Sequence, residues 1–174
     1  MTGLSVRRAG DADRPLLERL WLLFRHDLSE FDGDLPSPDG TFRAERLAAA
    51  FEDPDWAAYV FAGPQDRPVG FALVRGLNGP VRVLNSFFVV RSTRRAGVGL
   101  QAVRAVVAAH PGPWEVAFQD VNAGAVRFWR RVATDIAGDD WSEERRAVPS
   151  RPDLPPDVWI SFRSASPGQA QTEL

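Results

Sequence analysis

Apolar and polar positions alternate along the chain in a way that divides it into short elements. Leu4-Ser5-Val6-Arg7 has period two and predicts a strand. Asp13 stands where it can cap a helix with Pro15 in the first turn. Leu16, Leu20 and Leu23, beside Leu17, Trp21, Phe24 and Leu28, then recur at helical spacing and carry that helix to about Leu28. The stretch from Phe31 to Gly40 is dense in Asp, Gly, Pro and Ser and predicts a loop. Thr41 is read as the cap of a second helix, in which Ala44, Leu47, Ala48 and Phe51 repeat at i, i+3, i+4 and i+7 until Pro54 ends it.

Three apolar runs follow in close order, Trp56–Ala62, Val69–Arg75 and Val81–Val90. The short turns between them, rich in Gly, Pro and Asn, predict an antiparallel meander. From Gly99 to Ala109 the period is helical again, with a narrow wet stripe of Gln101, Arg104 and Ala108. His110-Pro111-Gly112-Pro113 stops this helix, with His110 as its C-terminal cap. Trp114–Phe118 is a further strand, and the helix that precedes it implies parallel pairing with Val81–Val90. Asn122 caps a helix with Ala125, Phe128, Trp129 and Val132 on one face and Arg127, Arg130 and Arg131 on the other. Trp141–Val148 and Val158–Arg163 read as closing strands, and the small polar tail 164–174 is expected to be disordered. The order describes one α+β domain over residues 1–163 with a mixed sheet.

Composition changes this picture in a few places. With 174 residues, 44% of them hydrophobic, the chain can bury one substantial core. It has no cysteine, which excludes a disulfide framework and a thiolate nucleophile, and only two histidines, His26 and His110. No metal ligand set is therefore expected. No apolar run is long enough to span a membrane and no signal-peptide core follows Met1, so the expectation is a cytoplasmic protein without a membrane partner. The net charge of -2 argues against nucleic acid as a partner. All 21 cationic side chains are arginine, which G/C-heavy coding explains. Two groups of them, Arg91, Arg94 and Arg95, then Arg127, Arg130 and Arg131, could still flank one anion.

The chemistry-bearing segment is Phe88 to Gly99, where a strand ends in a turn with Gly97 and Gly99 and a helix begins at once. Glycines let the backbone approach an anion, and a helix start offers unpaired N–H groups. Such a turn can cradle a pyrophosphate, although an ordinary helix entry has the same look. It is neither GxxxxGK[ST] nor GxGxxG.

Arg94-Arg95-Ala96-Gly97-Val98-Gly99 resembles the R/Q-x-x-G-x-G/A signature of the GNAT superfamily of acyl-CoA N-acyltransferases. Asn122, Ala125, Phe128 and Trp129 match its N-x-x-A-x-x-F-aromatic pattern after the next strand, and the similarity runs from about Val6 to Phe162. The resemblance implies a mixed, mostly antiparallel sheet flanked by helices, with a V-shaped splay between two parallel strands. It implies acetyl-CoA as co-substrate. The backbone of Val89 and Val90 would pair with the pantetheine arm and supply an oxyanion donor. Arg94, Arg95, Ala96, Gly97, Val98 and Gly99 would hold the pyrophosphate, with both arginine clusters flanking the phosphates. Asn122 would bond the arm or a water, and Phe128 would wall it, although Phe128 and Trp129 at helical spacing also read as core.

The implied reaction is acetylation of a primary amine of a small molecule or peptide by direct attack, which needs no enzyme nucleophile. The chain departs from the family where relatives often carry Tyr as general acid: Trp129 stands there, and the single tyrosine, Tyr59, reads as packed elsewhere. Where relatives often carry Glu or His as base, Leu84-Asn85-Ser86-Phe87 offers only Asn85 or Ser86, and alternation turns one of them to the cleft unless a bulge intervenes. Asn85 can orient a substrate or water but cannot act as a base. His26, Asp27 and Glu30, at the expected end of the first helix, are the other candidates, a solvated helix end being the alternative. Asp120 reads as a loop or cap residue close to the thioester.

The acidic loop of Glu30, Asp32, Asp34 and Asp39 hints at a cationic acceptor. The missing acid and base leave open a catalytically silent acyl-CoA-binding module, and a fold-alike that hydrolyses thioesters or acylates oxygen. A monomer or a homodimer through Trp141 and Trp159 fits equally.

Overall fold

The computed structural model describes residues 3–165. Seven strands form one sheet in the order β1-β2-β3-β4-β5-β7-β6, with β1 Ser5–Arg8, β2 Trp56–Ala62, β3 Pro68–Arg75, β4 Arg82–Val89, β5 Gly112–Phe118, β6 Trp141–Arg146 and β7 Asp157–Ser164. Every neighbouring pair is antiparallel except β4 and β5. Helices α1 (Arg14–Asp32) and α2 (Glu45–Glu52) cover one face, and α3 (Val98–Ala108) and α4 (Ala123–Ala137) the other. This is the mixed, mostly antiparallel α+β architecture expected from the order of elements, with the parallel pair at the expected place.

Two cores follow from the period-two pattern of the strands. Leu17, Leu20, Trp21 and Phe24 of α1 and Leu47 of α2 bury against Val60, Phe71, Leu73 and Phe88. Val103, Val106 and Val107 of α3 and Trp129 and Val132 of α4 bury against Phe61, Val74, Trp114, Val116, Ile160 and Phe162. Each such side chain contributes roughly 1.5–3 kcal/mol relative to exposure.

Several boundaries differ from expectation. The first helix runs one turn past Leu28 to Asp32, where Gly33 in the left-handed region (φ 69°) ends it. Residues 26, 27 and 30 thus lie inside the helix and not at its end. Thr41 caps nothing: Asp39 Oδ1 accepts from both its N–H (3.0 Å) and its hydroxyl (2.7 Å), and the second helix starts only at Glu45. The local Asx turn outcompetes the cap because it closes two residues away. The last strand includes Ser164, and of the tail expected to be disordered, residues 166–174 lie outside the described residues.

Asp13 precedes α1 as expected but makes no side-chain cap bond to it. Its two oxygens accept from Arg7 at 2.7 Å each, and Oδ2 also takes the Gly10 N–H at 2.9 Å. These bonds, first that of Arg7, hold its carboxyl at about 2, below the ordinary 3.8. Because the folded value is the lower one, the contribution is complete above the unfolded value and is lost as pH falls through the folded one. Arg7 is half exposed, so screening reduces the effect to about 1 kcal/mol. Asp13→Asn is expected to lose that amount in urea denaturation at pH 7, and the gap to the wild-type chain should narrow between pH 4 and pH 2. A gap that stays constant over that range would assign the effect to packing.

Candidate functional site

Two features meet where β4 ends. The first is an opening in the sheet. In the β3–β4 register Leu73 lies opposite Ser86 and Val74 opposite Leu84, which leaves Asn85 as the extra residue of a bulge. A bulge bends its strand and increases its twist. β5 accordingly pairs with β4 only across Arg82, Val83 and Leu84. Beyond Leu84 the two parallel strands separate, and β4 keeps a free edge. Val90 N–H donates to Val69 at 2.8 Å, so the Val90 backbone faces β3. Antiparallel alternation then turns the N–H and C=O of Val89 toward the free edge. The carbonyl of Val90 is occupied by the N–H of Thr93 (3.0 Å) and its hydroxyl (3.1 Å).

The second feature is the loop that follows. After a tight turn at Arg91–Thr93, Arg95 (φ 69°) and Gly97 (φ 79°) adopt left-handed conformations and α3 begins at Val98. Among the described residues, no acceptor takes the six backbone N–H groups from Arg95 to Leu100. Alternating handedness before a helix N-terminus gathers such donors into an anion-binding concavity. Arg94, Arg95, Ala96 and Gly97 are exposed, whereas Val98 and Gly99 are partly covered.

Gly99 matters for another reason. A Cβ there would stand 3.1 Å from the Phe128 ring, which lies against the first turn of α3. Phe128 stacks on Phe87 (5.5 Å, 19°) and meets Trp129 edge-on at 4.8 Å, and Trp129 also meets Phe87 at 5.4 Å. Phe128 is half buried and Trp129 buried, so this pair is the aromatic floor beneath the loop. Asn122 caps α4 through Oδ1, which accepts from Ala125 N–H at 3.0 Å, leaving its amide N–H groups for any ligand.

Asn85, half buried at the bulge, accepts from the Ser86 hydroxyl at 3.1 Å. His26 and Glu30 are exposed on α1, away from the side that carries Leu17, Leu20, Trp21 and Phe24. The residue of that group that reaches the loop is Asp27. Arg91 donates to its Oδ1 (3.1 and 2.8 Å) and Arg94 Nη2 to its Oδ2. Burial works to raise the Asp27 carboxyl, but the Arg94 and Arg91 bonds outweigh it and hold the group below its usual range.

The acidic loop is largely spent within the fold. Asp32 and Asp34 accept from the buried Arg25 (3.3 and 2.6 Å), and Asp39 is engaged with Thr41. Each arginine cluster is likewise neutralised in part, Arg91 and Arg94 by Asp27 and Arg130 by Glu143 (2.8 Å for each of two bonds). Asp120 accepts from Arg145 of β6 at 3.0 and 2.7 Å.

Tyr59 is packed in the core with its hydroxyl 2.6 Å from His110 Nε2, past the C-terminal end of α3 and so at the far end of that helix from the glycine loop. Burial pushes Tyr59 up, and burial together with Arg82 and Arg8 pushes His110 down. The ring of His110, expected only as a cap, is therefore a partner of the single tyrosine.

Two polar groups escaped the sequence reading. Glu115 accepts from Arg146 (3.1 and 2.9 Å) and from the Ser161 hydroxyl (3.2 Å), and the Arg146 guanidinium lies 4.7 Å over Trp159. Since Trp114, Val116, Ile160 and Phe162 face α3 and α4, Glu115, Trp159 and Ser161 face the other side, beyond the part of the sheet that α1 and α2 cover. Asp157 lies on that side too, and burial raises its carboxyl against the opposing pull of Arg46. The alternation of Asp157, Trp159 and Ser161 with Val158, Ile160 and Phe162 was the signal in the sequence for this second face.

Known proteins share this fold. The acetyltransferase (GNAT) family profile matches residues 17–133. No curated protein sequence matches the chain. Among solved structures, an acetyltransferase from Thermus thermophilus is 18% identical, with a TM-score of 0.66 over 92% of this chain and 96% of that one. The ribosomal-protein-S18-alanine N-acetyltransferase of Escherichia coli is 10% identical, with a TM-score of 0.62 over 97% and 98%. An aminoglycoside acetyltransferase from an uncultured soil metagenomic sample is 17% identical, with a TM-score of 0.59 over 83% and 92%. At these identities the structures speak for the fold, while the family profile covers more than half of the chain, including both motifs: the chain belongs to the GNAT family of acetyltransferases.

Proposed function

We propose that the chain transfers an acetyl group from acetyl-CoA to a primary amine of a small molecule or peptide. The observation that carries this reading is the free edge of β4 beside six unpaired N–H groups. An extended amide-containing arm can add to such an edge, and a pyrophosphate can accept from such a loop. Arg94 to Gly99 would hold the phosphates, and the free amide hydrogens of Asn122 and the ring of Phe128 would flank the arm. Both kinds of acceptor occur among the structural relatives, a protein alanine in one and an aminoglycoside in another.

The amine nitrogen would attack the thioester carbonyl directly. The ammonium first gives up one proton to become a nucleophile. On attack a new N–C bond forms, the C–S bond breaks, the nitrogen gives up a second proton, and the thiolate takes one from solvent. The Val89 N–H, turned to the free edge, would stabilise the oxyanion. Asn85, displaced by the bulge beside the opening, would orient the amine or a water bound to it. His26 and Glu30 would accept protons at the mouth of the cleft, where their exposure keeps them in contact with water. His26→Ala and Glu30→Ala are each expected to lower kcat/KM for the amine several-fold, on the order of 1 kcal/mol, with CoA affinity unchanged in calorimetry. Unchanged kinetics in both variants would remove them from the mechanism.

The decisive experiment is thiol release from acetyl-CoA in single turnover across a panel of amines. Release that depends on an amine supports the proposal. CoA binding without release from any amine would favour the second reading, a catalytically silent acyl-CoA-binding module. One observation speaks for that module: the tyrosine that could have served as acid is bonded to His110 at the other end of α3.

A further inference from the structure

Arg94 begins the glycine loop in sequence, yet its side chain folds back across the top of the opening. Its Nε donates to the carbonyl of Val89 at 2.8 Å, and its Nη2 holds Asp27. Its guanidinium lies 5.7 Å over Phe88, a residue packed on the α1 side of the sheet with Phe24. Arg94 thus occupies the acceptor group that β4 turns to its free edge next to the loop, and it spans from that edge to α1.

We propose that Asp27 is a latch residue that holds Arg94 over the Val89 carbonyl, and that acyl-CoA opens the latch by exchanging both bonds of Arg94. A donor phosphate takes the guanidinium from Asp27, and an amide N–H of the donor's arm takes the Val89 carbonyl from Arg94. This inference rests on the donor reading given above.

The exchange is balanced in hydrogen bonds and charge. The planar guanidinium fits phosphate and carboxylate with the same fork, so its partner can change without loss of donors. Asp27, its side chain only 19% exposed, would suffer from losing every cation. It does not, because Arg91 stays bound to Oδ1 through Nε and Nη2. The second arginine makes the first one releasable.

One consequence follows for the reaction. Donor binding carries a penalty equal to the cost of opening the latch, which lowers apparent affinity by the fraction of open molecules.

Calorimetric titration with CoA tests this on the full chain. Asp27→Asn, which keeps the shape of the side chain but not its charge, is expected to bind CoA about 3–10-fold more tightly than the wild-type chain. Equal or weaker binding by a folded Asp27→Asn overturns the latch and makes Asp27 a brace between α1 and the loop. Loss of CoA binding in both chains overturns the donor reading and the latch with it.

A second measurement needs no variant at Asp27. The Arg94 Nε–H resonance of the wild-type chain, assigned by its loss in Arg94→Lys, should shift when CoA is added without amine. If CoA binds and that resonance stays in place, the exchange does not occur.

Discussion

Gly97→Trp is expected to abolish CoA binding while the protein remains folded. Residue 97 is left-handed (φ 79°), and any side chain there carries strain of roughly 1–2 kcal/mol. The space around it is open, the nearest atom to an added Cβ being Gln101 Nε2 at 4.0 Å. An indole is therefore accommodated, but it stands among the unpaired N–H groups of Arg95 to Leu100. A domain of ordinary stability, about 5–15 kcal/mol, survives the strain. Affinity should fall by at least about 100-fold, or about 2.7 kcal/mol. Calorimetry paired with a melting curve reads both halves of this expectation, and undiminished CoA binding would place the donor elsewhere.

The largest stability effect is expected at Trp129. Its ring is buried and meets Phe87 and Phe128 edge-on at 5.4 and 4.8 Å. Trp129→Ala removes the centre of that cluster and should cost about 3–5 kcal/mol, because the strands and helices around it cannot collapse into the space. For a chain of this size the melting temperature should fall by on the order of 10 °C. Phe128, half buried at the edge of the same cluster, should cost clearly less on replacement by Ala. A Trp129→Ala loss as small as that of Phe128→Ala would mean that the cluster is not a packed unit. The comparison bears on function, since the Phe128 ring is also the contact that would crowd a Cβ at Gly99.

The sequence was most legible where one local interaction decides. Asn122 caps α4 as its type and place require, and Gly97 and Gly99 open α3 where a strand gives way to helical periodicity. It was least legible where a nearby competitor changed the outcome. Thr41 bonds with Asp39 in place of a helix, Asp13 pairs with Arg7 in place of a cap, and Gly33 lets α1 run on to Asp32. His26 and Glu30, chosen as neighbours of a helix end, consequently sit on a helix surface, and Asp27 between them is the residue that turns to the loop.

Composition and periodicity by themselves determined the order of elements, the parallel pair, the glycine loop and the absence of a cysteine nucleophile. These are properties of single residues and of spacings along one strand or helix. Only the tertiary structure decided which charges are free. The acidic loop that hinted at a cationic acceptor is folded onto Arg25, and both arginine clusters already hold carboxylates supplied by other elements, Asp27 from α1 and Glu143 from β6. The bulge at Asn85, which opens the sheet, depends on the register of β4 against β3, and the freedom of the Val89 N–H depends on where β5 stops pairing. Ion pairs and register join residues far apart in the chain, and the period of one segment carries no record of what lies across from it.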